Sequence, residues 1–481
     1  MLGKKIFQNY IFQLLNQIVG LVASILVARL GGAAIFGNIG LATSYQNLFK
    51  SLIVNSTNNA HLKIHSENDY HGIKTYAIVV FILILVSDFT IFSWAIYNYF
   101  SPVGLTSLQS ILILLFILQD FITLPCLIAT TDCTARLDIL RANIASFLPL
   151  MLINIFKILA IIVGYREIGI AVFMVIASFL GNFYSIYILK KRYWGSFNIE
   201  LAKKYLRYSL YILSGAIAYG LLLSYDKILL GFLRVSAEDL GYYNAGNKIG
   251  IIFMQMGVSI GGLFLAVFTK NAINKDSKST INILIRYERY VLSFFLPFVL
   301  ALLLCGKDLL ILLFGDDFSK GSAVLGLSLL IALMKIITIP YHNLLLANNR
   351  FRLFNILAGI YALSIITIPT LFAIINWFDD ILFSVAFGLF LTGVFEKFLF
   401  SFSSKRINRK IKLIYNLHFF LYFITCFIIS EWIFTEFISE LLMIHRFIYV
   451  FIVTLISLAV GFMIKLYKKE DIIHLRTLIG L

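Results

Sequence analysis

Apolar runs long enough to cross a membrane recur along almost the whole chain, and short polar links separate them. A helix needs about 20 consecutive apolar residues to span a bilayer. Backbone polar groups at that depth must be satisfied within the segment, so the runs predict helices. The pattern therefore predicts an all-α polytopic membrane protein with about fourteen transmembrane helices. The predicted spans are 6–30, 36–60, 76–100, 107–130, 141–164, 167–190, 206–233, 242–268, 288–314, 322–346, 353–376, 380–403, 411–433 and 444–467.

Composition favours a membrane protein over a soluble one. Hydrophobic residues make up 60% of the 481 positions and charged residues 13%, whereas about a quarter of the residues of an average soluble domain are charged. The first apolar segment contains Gln13, Asn16 and Gln17 and is longer than the apolar core of a signal peptide. We therefore expect it to be the first span.

The basic residues predict the orientation of the chain in the membrane. Of the 40 Lys and Arg residues, 28 fall in links on the side of the N-terminus, six on the opposite side and six inside spans. Lys and Arg accumulate in cytoplasmic links, so both termini are expected in the cytoplasm. The net charge of +16 then reflects topology and not nucleic-acid binding.

An internal repeat and a basic linker predict two halves. The segment ARLGGAAIFGNIGLA leaves the first span and GFLRVSAEDLGYYNAG leaves the seventh, with Gly37 at the position of Gly241. Repeats of the same orientation imply parallel halves about an axis along the membrane normal. With the basic segment KKRYWGSFNIELAKKYLR as the linker, we expect six-helix halves at 1–192 and 193–404. An extra helix pair and tail follow at 405–481. Gly241 is expected to take a left-handed turn conformation.

Polar side chains recur on one face of several predicted spans. Spacings of three, four and seven place side chains on a single helix face. A polar stripe at membrane depth needs a hydrated or protein-lined cavity, so these residues are candidates for cavity lining. They are Gln13, Gln17 and Ser24 leading to Arg29 in the first span, Gln46 and Lys50 in the second, and Asn244, Lys248 and Gln255 in the eighth.

Carboxylates inside predicted spans are candidates for ion coupling. Charges at membrane depth are costly and are usually kept for function, and Asp226 and Glu396 each lie in an apolar run. Adjacent residues point about 100° apart on a helix. Asp226 and Lys227 are therefore not expected to share a face, and the same holds for Glu396 and Lys397.

Structural roles are the alternative for several charged residues. Lys50, Lys227 and Lys397 could pair with carboxylates inside the bundle or reach an interface. Asp88 and Asp120 are interpreted as helix caps or loop contacts. Lys157 follows Asn154 by three residues and could continue a polar face, whereas Lys335 stands alone in its span.

Four motifs resemble a known transporter family. Besides the two repeat segments, LPFVLALLLCGKDLLILLFGDDF and IPYHNLLLANNRFRLFNI resemble the ninth and tenth helices of polysaccharide exporters in the multidrug, oligosaccharidyl-lipid and polysaccharide (MOP) flippase superfamily. The resemblance covers nearly the whole chain and is strongest with the O-antigen flippase type. It implies a fold in which the two halves are arranged as in the multidrug exporters called MATE.

The resemblance also implies a substrate and a site. Such flippases move an undecaprenyl-pyrophosphate-linked oligosaccharide repeat unit from the cytoplasmic to the periplasmic leaflet of the bacterial inner membrane by alternating access. In the family, the first, second, seventh and eighth helices line a central cavity with basic side chains for the pyrophosphate. Arg29, Lys50 and Lys248 lie at matching places. The implied partners are the lipid-linked oligosaccharide, the bilayer and other polysaccharide assembly proteins.

Two other function classes stay open. A cation-coupled multidrug exporter of the same superfamily would favour acidic cavity residues, and the excess of Lys in the spans argues against it. A membrane enzyme such as a polymerase would need a large external loop with catalytic groups. The predicted external links are all short, so we expect no enzyme. His61, His65 and His71 lack companion ligands and predict no metal site, and no nucleotide-binding glycine-rich loop occurs. No cofactor is expected, and a proton or sodium ion is the candidate coupling species.

Overall fold

The computed structural model describes residues 2–66, 72–101, 104–274, 276–375, 377–412, 417–438 and 442–463. Helices account for almost all of these residues, and no β-strand occurs among them. The helices are α1 Leu2–Ser66, α2 Lys74–Phe100, α3 Ser107–Ala135, α4 Ile139–Ile162, α5 Glu167–Gly181, α6 Phe183–Lys190, α7 Ile199–Phe232, α8 Ala237–Ile273, α9 Ser277–Tyr290, α10 Leu296–Leu304, α11 Gly306–Phe314, α12 Ser322–Ala347, α13 Phe351–Ile375, α14 Ile381–Ser404, α15 Leu417–Ile433 and α16 Met443–Met463.

The predicted all-α polytopic fold is confirmed. In the described part of the chain, nine helices are long and apolar enough to cross a membrane. The number becomes ten if α10 and α11, which meet at a 74° bend, form one broken span. The number fourteen stays a prediction. His71 and parts of the last two predicted spans lie outside the described residues.

The chain folds into two compact units. The first comprises Met1–Lys248 and Phe351–Thr392, and the second comprises Ile249–Arg350 and Gly393–Leu481. The boundaries of the two predicted six-helix halves remain a prediction. In the second unit, α12 is buried along most of its length. Tyr287 packs against it with Leu292 and Leu296, and its hydroxyl donates to the carbonyl oxygen of Ile336 at 2.9 Å.

The first two predicted spans are both contained in α1. Its backbone breaks at Gly32, where φ is 81° and ψ is 174°, a conformation that glycine adopts without steric cost. The break falls between the two predicted spans. The apolar pattern therefore predicted the segments correctly, while the link between them is a kink inside one long helix.

Within the first unit, α1 and α8 cross with their backbones in contact. A Cβ atom added to Gly37 would lie 2.0 Å from the carbonyl oxygen of Ala237 and 2.7 Å from the backbone nitrogen of Gly241. A Cβ atom added to Gly241 would lie 2.1 Å from the carbonyl oxygen of Ala33. The two glycines that the internal repeat aligns therefore face each other, and the crossing leaves no room for a side chain at either position.

The expected turn conformation of Gly241 is wrong. Gly241 lies inside α8, four positions after the helix begins at Ala237. The left-handed residue of the preceding turn is Arg234, with a φ of 54°. The approach of α1, and not the turn, is what requires a glycine at position 241.

Hydrogen bonds show which predicted links lie together at each of the two ends of the first unit. At one end, the side-chain amide of Asn38 donates to Glu167 at 3.2 Å and accepts from Gln109 at 3.1 Å. At the other end, the backbone nitrogen of Lys74 donates to the carbonyl oxygen of Trp194 at 2.9 Å. We call these the outer and the inner end, following the predicted orientation. The alternation of links within this unit matches the predicted spans.

His61 is part of the packing at the inner end. Its Nδ1 lies 2.8 Å from the hydroxyl of Tyr205, and its ring stacks on Tyr76 with centroids 4.0 Å apart. The neighbouring carboxylate of Asp132 forms an ion pair with Arg192 at 2.9 Å. These contacts connect α1, α2, α3 and the segment before α7, so His61 has a structural role here.

The glycine crossing makes a stability prediction. Gly37→Ala places a methyl group against a backbone oxygen and should lower the melting temperature of the purified protein. Gly359→Ala is the matched control, because nothing lies within 4 Å of the added Cβ atom. That change should be neutral or stabilising, since alanine is favoured over glycine in helices by about 1 kcal/mol. Equal melting temperatures of the two variants would contradict the crossing.

The predicted orientation is tested with reporter fusions. A reporter that is active only in the periplasm should score as outside when fused after Arg166, Val235 or Asp380. It should score as inside within 61–75 or 404–410. A reversed pattern at two or more of these sites would contradict the assignment of inner and outer ends.

Candidate functional site

Lysines inside the predicted spans fall into two classes. Four of the six have a carboxylate oxygen within 4.0 Å, so that their charge is compensated. Lys157 and Lys248 form no ion pair or hydrogen bond with the described residues. The four paired lysines are Lys50, Lys227, Lys335 and Lys397.

Lys157 and Lys248 lie within electrostatic range of each other in the first unit. Lys157 is on α4 and Lys248 is on α8, both are half-buried, and their charges repel. Lys227 on α7 also lies within electrostatic range of Lys248, although Asp226 compensates its charge. Three helices therefore converge on a region with excess positive charge. We call Lys157 and Lys248 the lysine pair.

Sequence reasoning did not place Lys157 in the site. Its only signal was a charge in an apolar run, three residues after Asn154. The side-chain amide of Asn154 donates to the carbonyl oxygen of Leu150 in its own helix at 3.0 Å. The importance of Lys157 follows from the approach of Lys248 on another helix, and no spacing within one segment reveals that.

Lys50 lies between α1 and α3 with its charge compensated. Its Nζ is 2.7 Å from Oδ1 of Asp120 and 3.4 Å from the hydroxyl of Thr123. Gln46, one turn earlier on α1, donates to the same oxygen at 2.9 Å. Gln46 and Lys50 therefore lie on one face of α1, as predicted, and both side chains bind Asp120.

The interpretation of Asp88 and Asp120 as caps or loop contacts is wrong. Asp88 lies within α2 and Asp120 within α3, and each is only 3% exposed. The charges of both act on Lys50. Two buried carboxylates and the half-buried Lys50 therefore form an electrostatic group on three helices.

The other predicted lining residues are spread along the helices. Asn244 donates to the carbonyl oxygen of Phe36 at 3.3 Å and packs against Gly40, so it supports the helix crossing. Ser24 donates to the carbonyl oxygen of Gly20 in its own helix at 2.7 Å. The remaining members are Arg29 and Gln13, both exposed on α1, Gln17, half-buried on α1, and Gln255, half-buried in the second unit.

Asp226 is buried, and its carboxylate contacts Asn247 and Lys227. Its Oδ2 accepts from the side-chain amide of Asn247 at 2.5 Å. Its Oδ1 lies 3.7 Å from Nζ of Lys227. This ion pair does not require the two residues to share a helix face. The flexible lysine side chain folds back onto its neighbour despite the angle between the two Cα–Cβ bonds.

Glu396 in the second unit is also compensated. It is fully buried, with Oε1 2.6 Å from Nζ of Lys335 and 3.2 Å from Nε2 of His342. Lys335, expected to stand alone, is in fact its direct partner. Lys397, the residue after Glu396, points to Glu288 instead, at 3.9 Å.

The lysine pair is suited to an anion. Two uncompensated cations that act on each other in a low-dielectric region repel, and an anion beside them lowers that cost. Charge-assisted hydrogen bonds to phosphate are shorter and roughly twice as strong as neutral ones. The arrangement can therefore bind a phosphate or pyrophosphate group and discriminate against cations.

Solved transporter structures share the fold. The lipid II flippase MurJ in an inward closed conformation matches with a TM-score of 0.75, over 96% of this chain and 100% of that chain, at 16% sequence identity. An inward-facing multidrug resistance MATE family transporter of the MOP superfamily gives 0.62, over 84% and 100%, at 14% identity. A MOP superfamily transporter from Pyrococcus furiosus gives 0.55, over 84% and 95%, at 16% identity. At these identities the likeness shows the fold alone.

The sequence itself shows the family. No protein of curated function matches it. The family described as "polysaccharide biosynthesis protein" matches residues 25–323. That range contains the glycine crossing, Lys50 and both members of the lysine pair, and it confirms the resemblance to polysaccharide exporters. The chain therefore belongs to the polysaccharide biosynthesis protein family and has the fold of MOP superfamily transporters.

Proposed function

We propose that the protein is a flippase for undecaprenyl-pyrophosphate-linked oligosaccharide repeat units, of O-antigen or a similar polysaccharide. It would move them from the cytoplasmic to the periplasmic leaflet of a bacterial inner membrane by alternating access. The observation that carries the proposal is the lysine pair, Lys157 and Lys248, in a chain of the polysaccharide biosynthesis family. A transporter of a pyrophosphate needs uncompensated cations along its path.

The pyrophosphate is the part of such a substrate that resists crossing. Its charges are costly to move through low dielectric, whereas the polyprenyl tail stays in lipid. In this proposal Lys248 and Lys157 receive the pyrophosphate, and Arg29 lies toward the outer end of the path. In this proposal Gln13 and Gln17 of the first span keep the path hydrated.

Lys50 contributes through exchange of its partner. In the present conformation Asp120 neutralises it at 2.7 Å. An arriving pyrophosphate would compete with Asp120 for Lys50, since both offer oxygen acceptors. Asp120 then returns to Lys50 when the substrate leaves, so that the lysine is never left unpaired in low dielectric.

Ion coupling is assigned to Asp226 and Glu396. Both are buried carboxylates held by lysines, Lys227 and Lys335. Protonation or sodium binding at either would weaken its ion pair and alter the packing of the helices that carry it. The inward gradient of a proton or sodium ion would thereby drive the conformational cycle.

A multidrug exporter is the alternative, supported by the fold likeness to a MATE family transporter. A cation-coupled exporter would favour acidic cavity residues, whereas the lysine pair is basic. The charge of the site therefore favours the anionic, lipid-linked substrate.

The role of the lysine pair is tested by complementation of a strain that lacks its own flippase. Lys157→Gln combined with Lys248→Gln should abolish surface polysaccharide, because each lost charge-assisted contact is worth about 1.5–3 kcal/mol. The two Lys→Arg changes should retain function, since arginine also pairs with phosphate. Lys203→Gln, at an exposed position of α7, is the matched control. Full restoration by the well-expressed double Gln variant would return both lysines to a structural role.

Coupling is tested in proteoliposomes with an imposed proton or sodium gradient. Asp226→Asn combined with Glu396→Gln should remove the dependence of transport on the gradient, because neither side chain can then exchange a proton. Membrane insertion and monodispersity of the variant must match the wild type. Unchanged gradient dependence would exclude these two carboxylates as the coupling groups.

A further inference from the structure

A second polar region lies at the inner end of the first unit, away from the lysine pair. It is a cavity of about 970 Å³ between the C-terminal part of α1, the start of α7 and the start of α13. Ligand sites commonly measure about 300–1,000 Å³, so the cavity has room for several sugar rings. The lining residues that bear on its chemistry are Asn59, Lys63, Tyr208, Phe351, Arg352 and Asn355.

The charge of the cavity is positive. Lys63 and Arg352 line it from different helices, and no carboxylate belongs to the lining among the described residues. Arg352 is exposed and forms no ion pair with the described residues. The Nζ of Lys63 lies 4.2 Å from the centroid of the Tyr208 ring, which fixes the lysine at the cavity wall. Such a pair of cations is suited to a phosphate group.

The remaining lining is suited to hydroxyl-rich rings. Asn355 accepts a hydrogen bond from Ser214 through its Oδ1 at 2.7 Å, so its side-chain NH₂ group is oriented and available to donate. Phe351 and Tyr208 present aromatic rings, on which the C–H faces of sugars stack. A phosphate and a sugar could therefore be bound side by side.

An apolar stripe leads away from the cavity along α13. Ile356 lines the cavity and is 54% exposed, and Ile360 and Leu363 continue on the same helix face at spacings of four and three. Within a membrane this stripe faces lipid tails. A charged, hydroxyl-rich cavity continuous with an apolar track fits an amphipathic ligand better than a water-soluble sugar nucleotide.

We infer that this cavity is a loading site for a lipid whose headgroup carries phosphate and sugar hydroxyls. The phosphate lies between Lys63 and Arg352, the sugar lies against Asn355 and Phe351, and the lipid tail follows the stripe of α13. The inference rests on the proposed flippase function and adds a binding station before the lysine pair.

The two stations are separate in space. Tyr208 at the cavity and Lys227 beside the lysine pair are both on α7, 19 positions apart, which corresponds to about 28 Å along a helix. Lys50 lies between these levels on α1. A headgroup would thus pass from Lys63 and Arg352 to Lys50 and then to the lysine pair.

The test is protection of a cysteine at the cavity rim. Asn59→Cys is introduced into the full chain in phosphatidylcholine nanodiscs, and its modification by a water-soluble maleimide is followed at residue 59 by peptide mass spectrometry. Farnesyl-pyrophosphoryl-N-acetylglucosamine should slow this modification. Lys63→Gln or Arg352→Gln should each raise the half-protecting concentration about tenfold or more, because each removes a charge-assisted contact. Arg352→Lys should retain protection.

Controls separate this site from others. Lys74→Gln, an exposed lysine at the same end that does not line the cavity, should leave protection unchanged. Equal protection by uridine diphosphate N-acetylglucosamine would overturn the lipid assignment. Equal protection by phosphatidylglycerol without the probe would assign the cavity to bulk phospholipid and overturn the sugar assignment. Protection that survives Lys63→Gln with Arg352→Gln would overturn the site itself.

The failure of this inference is distinguishable from failure of the proposed function. Lys157→Gln with Lys248→Gln should keep residue 59 protected while transport stops. Transport that persists in this variant, with protection intact, would contradict the role of the lysine pair and leave the cavity standing. In the protein with Asn59→Cys as its only change, intact transport without any protection of residue 59 would contradict the loading site alone.

Discussion

The contact of Gly37 with Gly241 is the constraint on which the site of the first unit depends. Because neither residue has a Cβ atom, the backbones of α1 and α8 meet there without intervening side chains. Lys248 lies seven positions beyond Gly241, about two turns along α8 and on the same face. A wider crossing would move Lys248 away from the region that it shares with Lys157 of α4 and Lys227 of α7.

Charge compensation determines which lysines are available for a ligand. A charged side chain inside a membrane protein is costly unless it is paired or hydrated. Lys50, Lys227 and Lys335 each have a carboxylate partner, so their presence needs no ligand. Lys157 and Lys248 have no such partner among the described residues, and in our proposal this difference gives the site its preference for anions.

Sequence reasoning reached the fold because the relevant signal is local. A run of apolar residues predicts a helix and a short polar link predicts its end, so the helical segments and the alternation of their links were predictable. The repeat also aligned Gly37 with Gly241, although the reason for the glycines was misassigned. Their role depends on the approach of a second helix, which no single segment encodes.

The site was less predictable because it depends on pairing between distant segments. Gln46 and Lys50 could be placed on one face from their spacing, but their partner Asp120 lies 70 positions later. Lys335 is isolated in the sequence of its span, but its Nζ lies 2.6 Å from Glu396 in the fold. Lys157 is a candidate site residue only because Lys248 on another helix acts on it. Whether a charged side chain inside a membrane span has a partner of opposite charge depends on how the helices pack.

The measurement that tests the central claim most directly compares two lipids in proteoliposomes of the wild type and of the double variant Lys157→Gln, Lys248→Gln. One lipid carries its oligosaccharide on a pyrophosphate, and the other carries the same oligosaccharide on a monophosphate. The account predicts faster flipping of the pyrophosphate lipid by the wild type and loss of that preference in the variant, because the lysine pair recognises the additional charge. Equal rates for the two lipids in the wild type, or an unchanged preference in the variant, would contradict it.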